Sequence, residues 1–159
     1  MAYWRWDPVY SVGIAVIDNQ HKKIIEYINE LSHIATYESD NQVVHDVIFK
    51  LLDYTVSHFS FEESLMEEAK YPLLEPHKKV HEAFIERINF FKERFENGED
   101  ISKQLMMELQ MWLINHIQHN DTDYAQVVQQ MLEKRKITPE KDDETKSTWL
   151  KSLVNNVFN

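Results

Sequence analysis

The chain of 159 residues has no cysteine, and that one absence removes disulfides, thiolate metal sites and cysteine nucleophiles together. Any metal it binds must be held by His, Asp and Glu. Glycine and proline are scarce as well, at 2 and 4 residues. That is too few for a sandwich or barrel with many turns, so the composition points to long helices. Positive charge is in deficit, with 17 Lys and Arg against 27 Asp and Glu and a formal net charge of −10. With no basic cluster to offset it, this charge repels phosphate backbones and sets nucleic acid aside as a partner. No apolar run approaches the roughly 18 residues needed to cross a bilayer. The opening "MAYWRWDPVY" also lacks the basic-then-apolar order of a secretory signal. The expectation is a cytoplasmic protein without a membrane span.

What is present is a hydrophobic fraction of 43% and an aromatic fraction of 12%, enough to build one globular core. Four segments carry apolar residues in alternating steps of three and four, the spacing that keeps one helical stripe against a partner. The first runs Ile17, His21, Ile24, Ile28, Leu31, Ala35, and the second Val44, Ile48, Leu51, Thr55, His58, Glu62, Leu65. The third runs Leu74, His77, His81, Phe84, Ile88, Phe91, Phe95, and the fourth Ile101, Leu105, Leu109, Trp112, His116. Between them, Asp40 is placed to cap the second helix, Pro72 and Pro76 bracket the start of the third, and "NGED" at 97–100 supplies a terminating Gly followed by an Asp cap. Short connections favour antiparallel neighbours, so the predicted fold is all-α: an up-down-up-down four-helix bundle with an N-terminal arm.

The polar members of these seams call for a function, because a buried ionisable group is costly unless it is paired or metal-bound. His21 and His77 lie near the starts of the first and third helices. His58, Glu62 and His116 lie near the ends of the second and fourth. In an alternating bundle these positions, with His81, meet at one end. His58 and Glu62 are i,i+4, as are His77 and His81, so each pair shares a face and reaches one ion or two adjacent ions. Lys78 stands where a zinc-protease helix would carry its general-base Glu, which removes that class of site. Two six-coordinate irons held by these histidines, two bridging carboxylates and a bridging hydroxide would keep about one coordination position open. That suits capture of a small diatomic better than activation of a bulky substrate. After His116 the seam's next step falls on His119 or Asn120.

The lead-in "WDPVYSVGIAVIDNQH" ending at His21, the pairs "HFSFE" at 58–62 and "HKKVH" at 77–81, and the closing "WLINHIQHNDTDY" at 112–124 together resemble the hemerythrins, specifically the bacterial single-domain members. The resemblance runs from about Trp6 to Met131. It implies a non-haem di-iron centre that binds O2 reversibly, with two irons bridged by an oxo or hydroxo group and two carboxylates. His77, His81 and His116 would hold one iron, His21 and His58 the other, and Glu62 and Asp121 would bridge them, with O2 as ligand at the two-histidine iron. Asp121 lies five residues beyond His116, a spacing that shares no face on a regular α-helix. A local widening near Gln118 to Asn120 would reconcile the two, and Asp123 is the fallback. His119 is ambiguous, a place at the surface or behind the ligands being favoured over any metal contact, and His33 and His45, off the seams, are read as solvated.

Ile24, Phe59, Trp112, Leu113 and Ile117 adjoin the ligands in sequence and are the candidate apolar wall of an O2 pocket, though the same spacing is that of ordinary core. The functional reading is an oxygen carrier, store or buffer without a catalytic residue. The alternative is O2, redox or nitric-oxide sensing or detoxification at the same site; five histidines argue against the carboxylate-rich repair type of centre. The domain reading is a bundle over 1–131 and, over 132–159, a charged connector and an amphipathic C-terminal helix. Trp149, Leu150, Leu153, Val154, Val157 and Phe158 form one apolar side of that helix, a face to be buried against its own bundle first, in self-association or a protein partner next, and on a membrane surface last.

Overall fold

The computed structural model describes residues 4–37 and 40–137, the side chains at 35, 119–122 and 136–137 excepted. After a 3-10 turn at Pro8–Tyr10 come α1 (Ala15–Tyr37), α2 (Asn41–Glu68), α3 (Leu74–Glu96) and α4 (Ser102–Asn115), then a π-helical segment at His116–Asp121 and α5 (Thr122–Ile137). No strand occurs among the described residues. Among them, no helix is long and apolar enough to cross a membrane.

The seams are the core. Ile17, Ile24, Ile28 and Leu31 of α1, Val44, Ile48, Leu51 and Leu65 of α2, Phe84, Ile88 and Phe91 of α3, and Leu105, Leu109 and Leu113 of α4 are all buried in one cluster. Full burial of each such side chain contributes about 1.5–3 kcal/mol, so the helices are held chiefly by the stripe that their periodicity defines. Asp40 caps α2 as expected, its carboxylate accepting from the Gln42 N–H at 2.8 Å. Gly98, at φ +90°, follows the last turn of α3. The α4 cap differs from the expectation: Ile101, fully buried, takes the N-cap position, and Asp100 one residue earlier accepts from the Ser102 N–H at 3.4 Å. Burying the isoleucine draws the helix start one residue onward.

The N-terminal arm is tied to the bundle at two places. Asn29 pairs with the Trp4 backbone, accepting from its N–H at 2.9 Å and donating to its carbonyl at 2.8 Å. Asp18, in the first turn of α1, accepts from the Val12 N–H at 2.9 Å and the Ser11 hydroxyl at 2.5 Å. Gly13 between them adopts φ +78°, and a Cβ there would lie 2.2 Å from Gln129 Nε2, which donates to the Val12 carbonyl. A side chain at position 13 would displace the Gln129 amide from the Val12 carbonyl, and the positive φ itself favours glycine there.

Three further expectations are answered here. His33 is exposed as read, but His45 is half-buried, its ring 4.2 Å from that of Phe49 and 6.2 Å from that of Phe95. The helical rod that begins at Ser102 continues past Met131 to Ile137, through the start of the segment read as connector. The amphipathic stretch with Trp149, Leu150, Leu153, Val154, Val157 and Phe158 lies outside the described residues.

Candidate metal centre

The centre forms at the end of the bundle where α1 and α3 begin and α2 and α4 end. His21 comes from α1, His58 and Glu62 from α2, His77 and His81 from α3, and His116 from the junction of α4 with the π segment. All six are buried, none more than 6% exposed. They fall into two sets around one shared carboxylate: Glu62 with His77, His81 and His116, and Glu62 with His21 and His58, the donor atoms of each set lying within 4.8 Å of one another.

Glu62 divides its two oxygens between the sets. Oε1 lies 3.1 Å from His58 Nε2 and 3.6 Å from His21 Nε2, whereas Oε2 lies 3.3 Å from His81 Nε2 and 3.7 Å from His116 Nε2. The i,i+4 step from His58 to Glu62 makes the first of these contacts local. The others depend on the helices being packed at the right height. Burial works against ionisation of Glu62, but the His58 ring and the nearby His116 and His21 rings outweigh it and hold the carboxyl well below the usual range.

Two of the rings are oriented from behind. His58 Nδ1 lies 2.6 Å from Gln20 Oε1, and His81 Nδ1 lies 3.1 Å from Glu63 Oε1. Both partners are acceptors, so each Nδ1 carries a proton, and with a cation bound each Nε2 would present its lone pair inward. Burial opposes charging of His81, yet Glu62 and Glu63 together raise its pKa above the ordinary value. Five histidines and a shared carboxylate so gathered, with the Nε2 atoms of His81 and His116 only 3.2 Å apart, are donors that could hold a metal ion.

The π segment at His116–Asp121 is the widening that the His116–Asp121 spacing demanded. Its i→i+5 turn carries the backbone of residue 121 one wide turn beyond His116, in place of residue 120. Asp123, the fallback ligand, is exposed and is not brought to the cluster. One position later Tyr124 is fully buried and donates its hydroxyl proton to Glu62 Oε1 at 2.8 Å.

The aromatic members of the expected wall lie against the ligands. Phe59 stacks on His81, with centroids 3.9 Å apart and planes at 5°, and Trp112 stacks on His116 at 4.3 Å and 15°. Phe84, taken from the sequence only as core, backs Trp112 at 3.7 Å. Ile24, Leu113 and Ile117 are buried in the same core. Sequence reasoning missed Gln20, Glu63 and Tyr124. Gln20 and Glu63 are next in chain to His21 and Glu62, and an acceptor beside each ligand was the available signal.

Comparison with known proteins agrees with this geometry. The family described as "Hemerythrin HHE cation binding domain" matches residues 12–128. The bacteriohemerythrin of Stenotrophomonas maltophilia is 48% identical over 128 residues, 80% of this chain and 83% of that protein. The bacteriohemerythrin of Pseudomonas aeruginosa is 46% identical over the same shares. The myohemerythrin of the leech Theromyzon tessulatum is 28% identical over 76% of this chain and 90% of its own. The crystal structure of a wild-type hemerythrin superposes with a TM-score of 0.75 at 25% identity, covering 80% of this chain and 98% of the other. With a buried His and Glu cluster of metal-binding character at the end of a four-helix bundle, and the family match spanning most of its length, the chain belongs to the hemerythrin family.

Proposed function

We propose that this protein binds O2 reversibly at a non-haem di-iron centre and serves as an oxygen carrier, store or buffer rather than as an enzyme. The observation that carries the reading is the division of Glu62 between two histidine sets, one oxygen to each. A carboxylate so placed suits two cations side by side. His77, His81 and His116 would hold one and His21 and His58 the other, with Glu62, and Asp121 from the far side of the π turn, spanning both. The pair of irons would supply the reversible redox change that captures O2. The donor set by itself admits other first-row cations, and the assignment to iron rests on the family's relatives, named as hemerythrins.

The chain's own residues do the rest. Gln20 and Glu63 hold the imidazoles of His58 and His81 in the tautomer that points Nε2 inward. Phe59, Trp112 and Phe84 wall the three-histidine side with aromatic rings, and Leu113, Ile117 and Ile24 add aliphatic bulk to the same buried region. Burial of the whole centre in the apolar core would keep water and protons away from bound O2. With three histidines on one side and two on the other, an open position would fall on the His21 and His58 side.

The test is the visible and near-ultraviolet spectrum of anaerobically reduced, iron-loaded protein as air is admitted and then removed. A charge-transfer band that appears and disappears over repeated cycles, with two irons per chain, is the expected result. One metal per chain, or a colour that fails to reverse in the first cycle, would refute the proposal.

A further inference from the structure

The two halves of the centre differ behind the ligands as well as in ligand number. On the three-histidine side the His81 Nδ1–H donates to a carboxylate, Glu63, which is a quarter exposed. On the two-histidine side the His58 Nδ1–H donates to a neutral amide, Gln20, which is buried. An anionic acceptor draws the ring proton toward itself and gives the opposite nitrogen more imidazolate character, hence a stronger bond to a cation; a neutral amide does this far less. The shared carboxylate tilts the same way. The Tyr124 hydroxyl donates to Glu62 Oε1, the oxygen that faces His58 and His21, and so withdraws electron density from that side alone.

From this we infer that Glu63 and Gln20 act as positioning residues that make the two metal sites unequal: the His77, His81 and His116 site fills first and holds its cation more tightly, and the His21 and His58 site fills second and empties first. The inference rests on the two-metal reading above. It adds an order of loading and assigns that order to the charge difference between two residues that touch no metal. A protein so built keeps one metal anchored as a structural centre while the other, on the side with the open position, is the exchangeable one.

Cobalt(II) provides the probe, because its ligand-field bands report each site without O2 chemistry. Metal-free full-length protein titrated anaerobically should bind two equivalents in two resolved steps. Glu63→Gln should weaken the first step by about 10- to 100-fold, the usual loss when the partner behind a metal-bound histidine is changed, and leave the second nearly as it was. Gln20→Glu should instead tighten the second step. Glu67→Gln, an exposed carboxylate one turn along α2, removes the same charge without the hydrogen bond and should move neither. In zinc-loaded protein the slowly exchanging Nδ1 proton of His58 should vanish in Gln20→Ala while that of His81 persists, a change that loss of stability alone does not produce. Two indistinguishable steps in the native chain, or equal effects of Glu63→Gln and Glu67→Gln, would overturn the inference and leave the two-metal reading standing. A single cobalt per chain would overturn both.

Discussion

The Tyr124 hydroxyl donates to Glu62 Oε1 at 2.8 Å, joining two fully buried side chains 62 positions apart. By this contact the helix beyond the π turn grips the carboxylate at the middle of the centre, and Tyr71 packs edge-on against the same ring at 6.4 Å. Tyr124→Phe removes the donor but keeps the ring. A hydrogen bond to a charged group contributes about 1.5–3 kcal/mol, so the metal-free variant should lose stability of that order in urea unfolding while its helical content is unchanged. An unaltered midpoint would mean that the contact contributes nothing to the fold.

The wide turn predicts which acid spans the metals. Asp121→Ala should release at least one of two irons, since a bridging carboxylate bonds to both, whereas Asp123→Ala, at an exposed position, should retain two. Metal-to-protein ratios after desalting decide it. Demetallation by the Asp123 variant and not by the Asp121 variant would place the ligand two residues further along.

Packing and protection of bound O2 should separate at two isoleucines. Ile117 and Ile88 are both buried, at 1% and 4% exposure, but Ile117 follows the ligand His116 and Ile88 lies two turns beyond His81. Truncating either to Ala should cost about 2–5 kcal/mol in unfolding experiments. Only Ile117→Ala should hasten decay of the oxygenated absorption at constant pH and temperature. Equal decay rates in the two variants would make Ile117 ordinary core.

Protons and metal compete for the same atoms, and the pH profile of the metal-free chain follows from two opposed shifts. The Glu62 carboxyl is lowered below its ordinary value of 4.5, so its contribution to stability is present above that pH and lost as pH falls through the folded value. The His81 ring is raised above 6.5, so its contribution is complete below 6.5 and lost as pH rises through the folded value. Both are in force between 4.5 and 6.5. The thermal midpoint of metal-free protein should be highest in that window and should fall above it. With metal bound the trend above 6.5 should reverse, because His81 must be deprotonated to ligate. A metal-free midpoint that keeps climbing through neutral pH would contradict the assignment.

Much of this protein is determined by the sequence locally. Four stripes at helical spacing, an Asp at position 40 and a Gly at position 98 suffice to specify the bundle, because amphipathic periodicity and caps act over a few residues. The histidine and carboxylate set was legible for the same reason: each ligand interrupts a stripe that is otherwise apolar, and helix direction alone brings the interruptions to one end. The π segment was foreshadowed only through the family resemblance, which pairs His116 with Asp121, two positions that share no face on a regular helix.

The tertiary structure decided what depends on the rotation and offset of one helix against another, which no local pattern encodes. It decided that Glu62 turns Oε1 toward His58 and Oε2 toward His81. It decided that Gln20 of α1 reaches across to His58 of α2, although in the sequence it is only a polar residue beside a histidine, and that His45, off every stripe, is half-covered by the neighbouring Phe95 of α3. Side-chain hydrogen bonds between helices form only where the approach is within about 3 Å, and that proximity is a property of the packed bundle, not of any one helix.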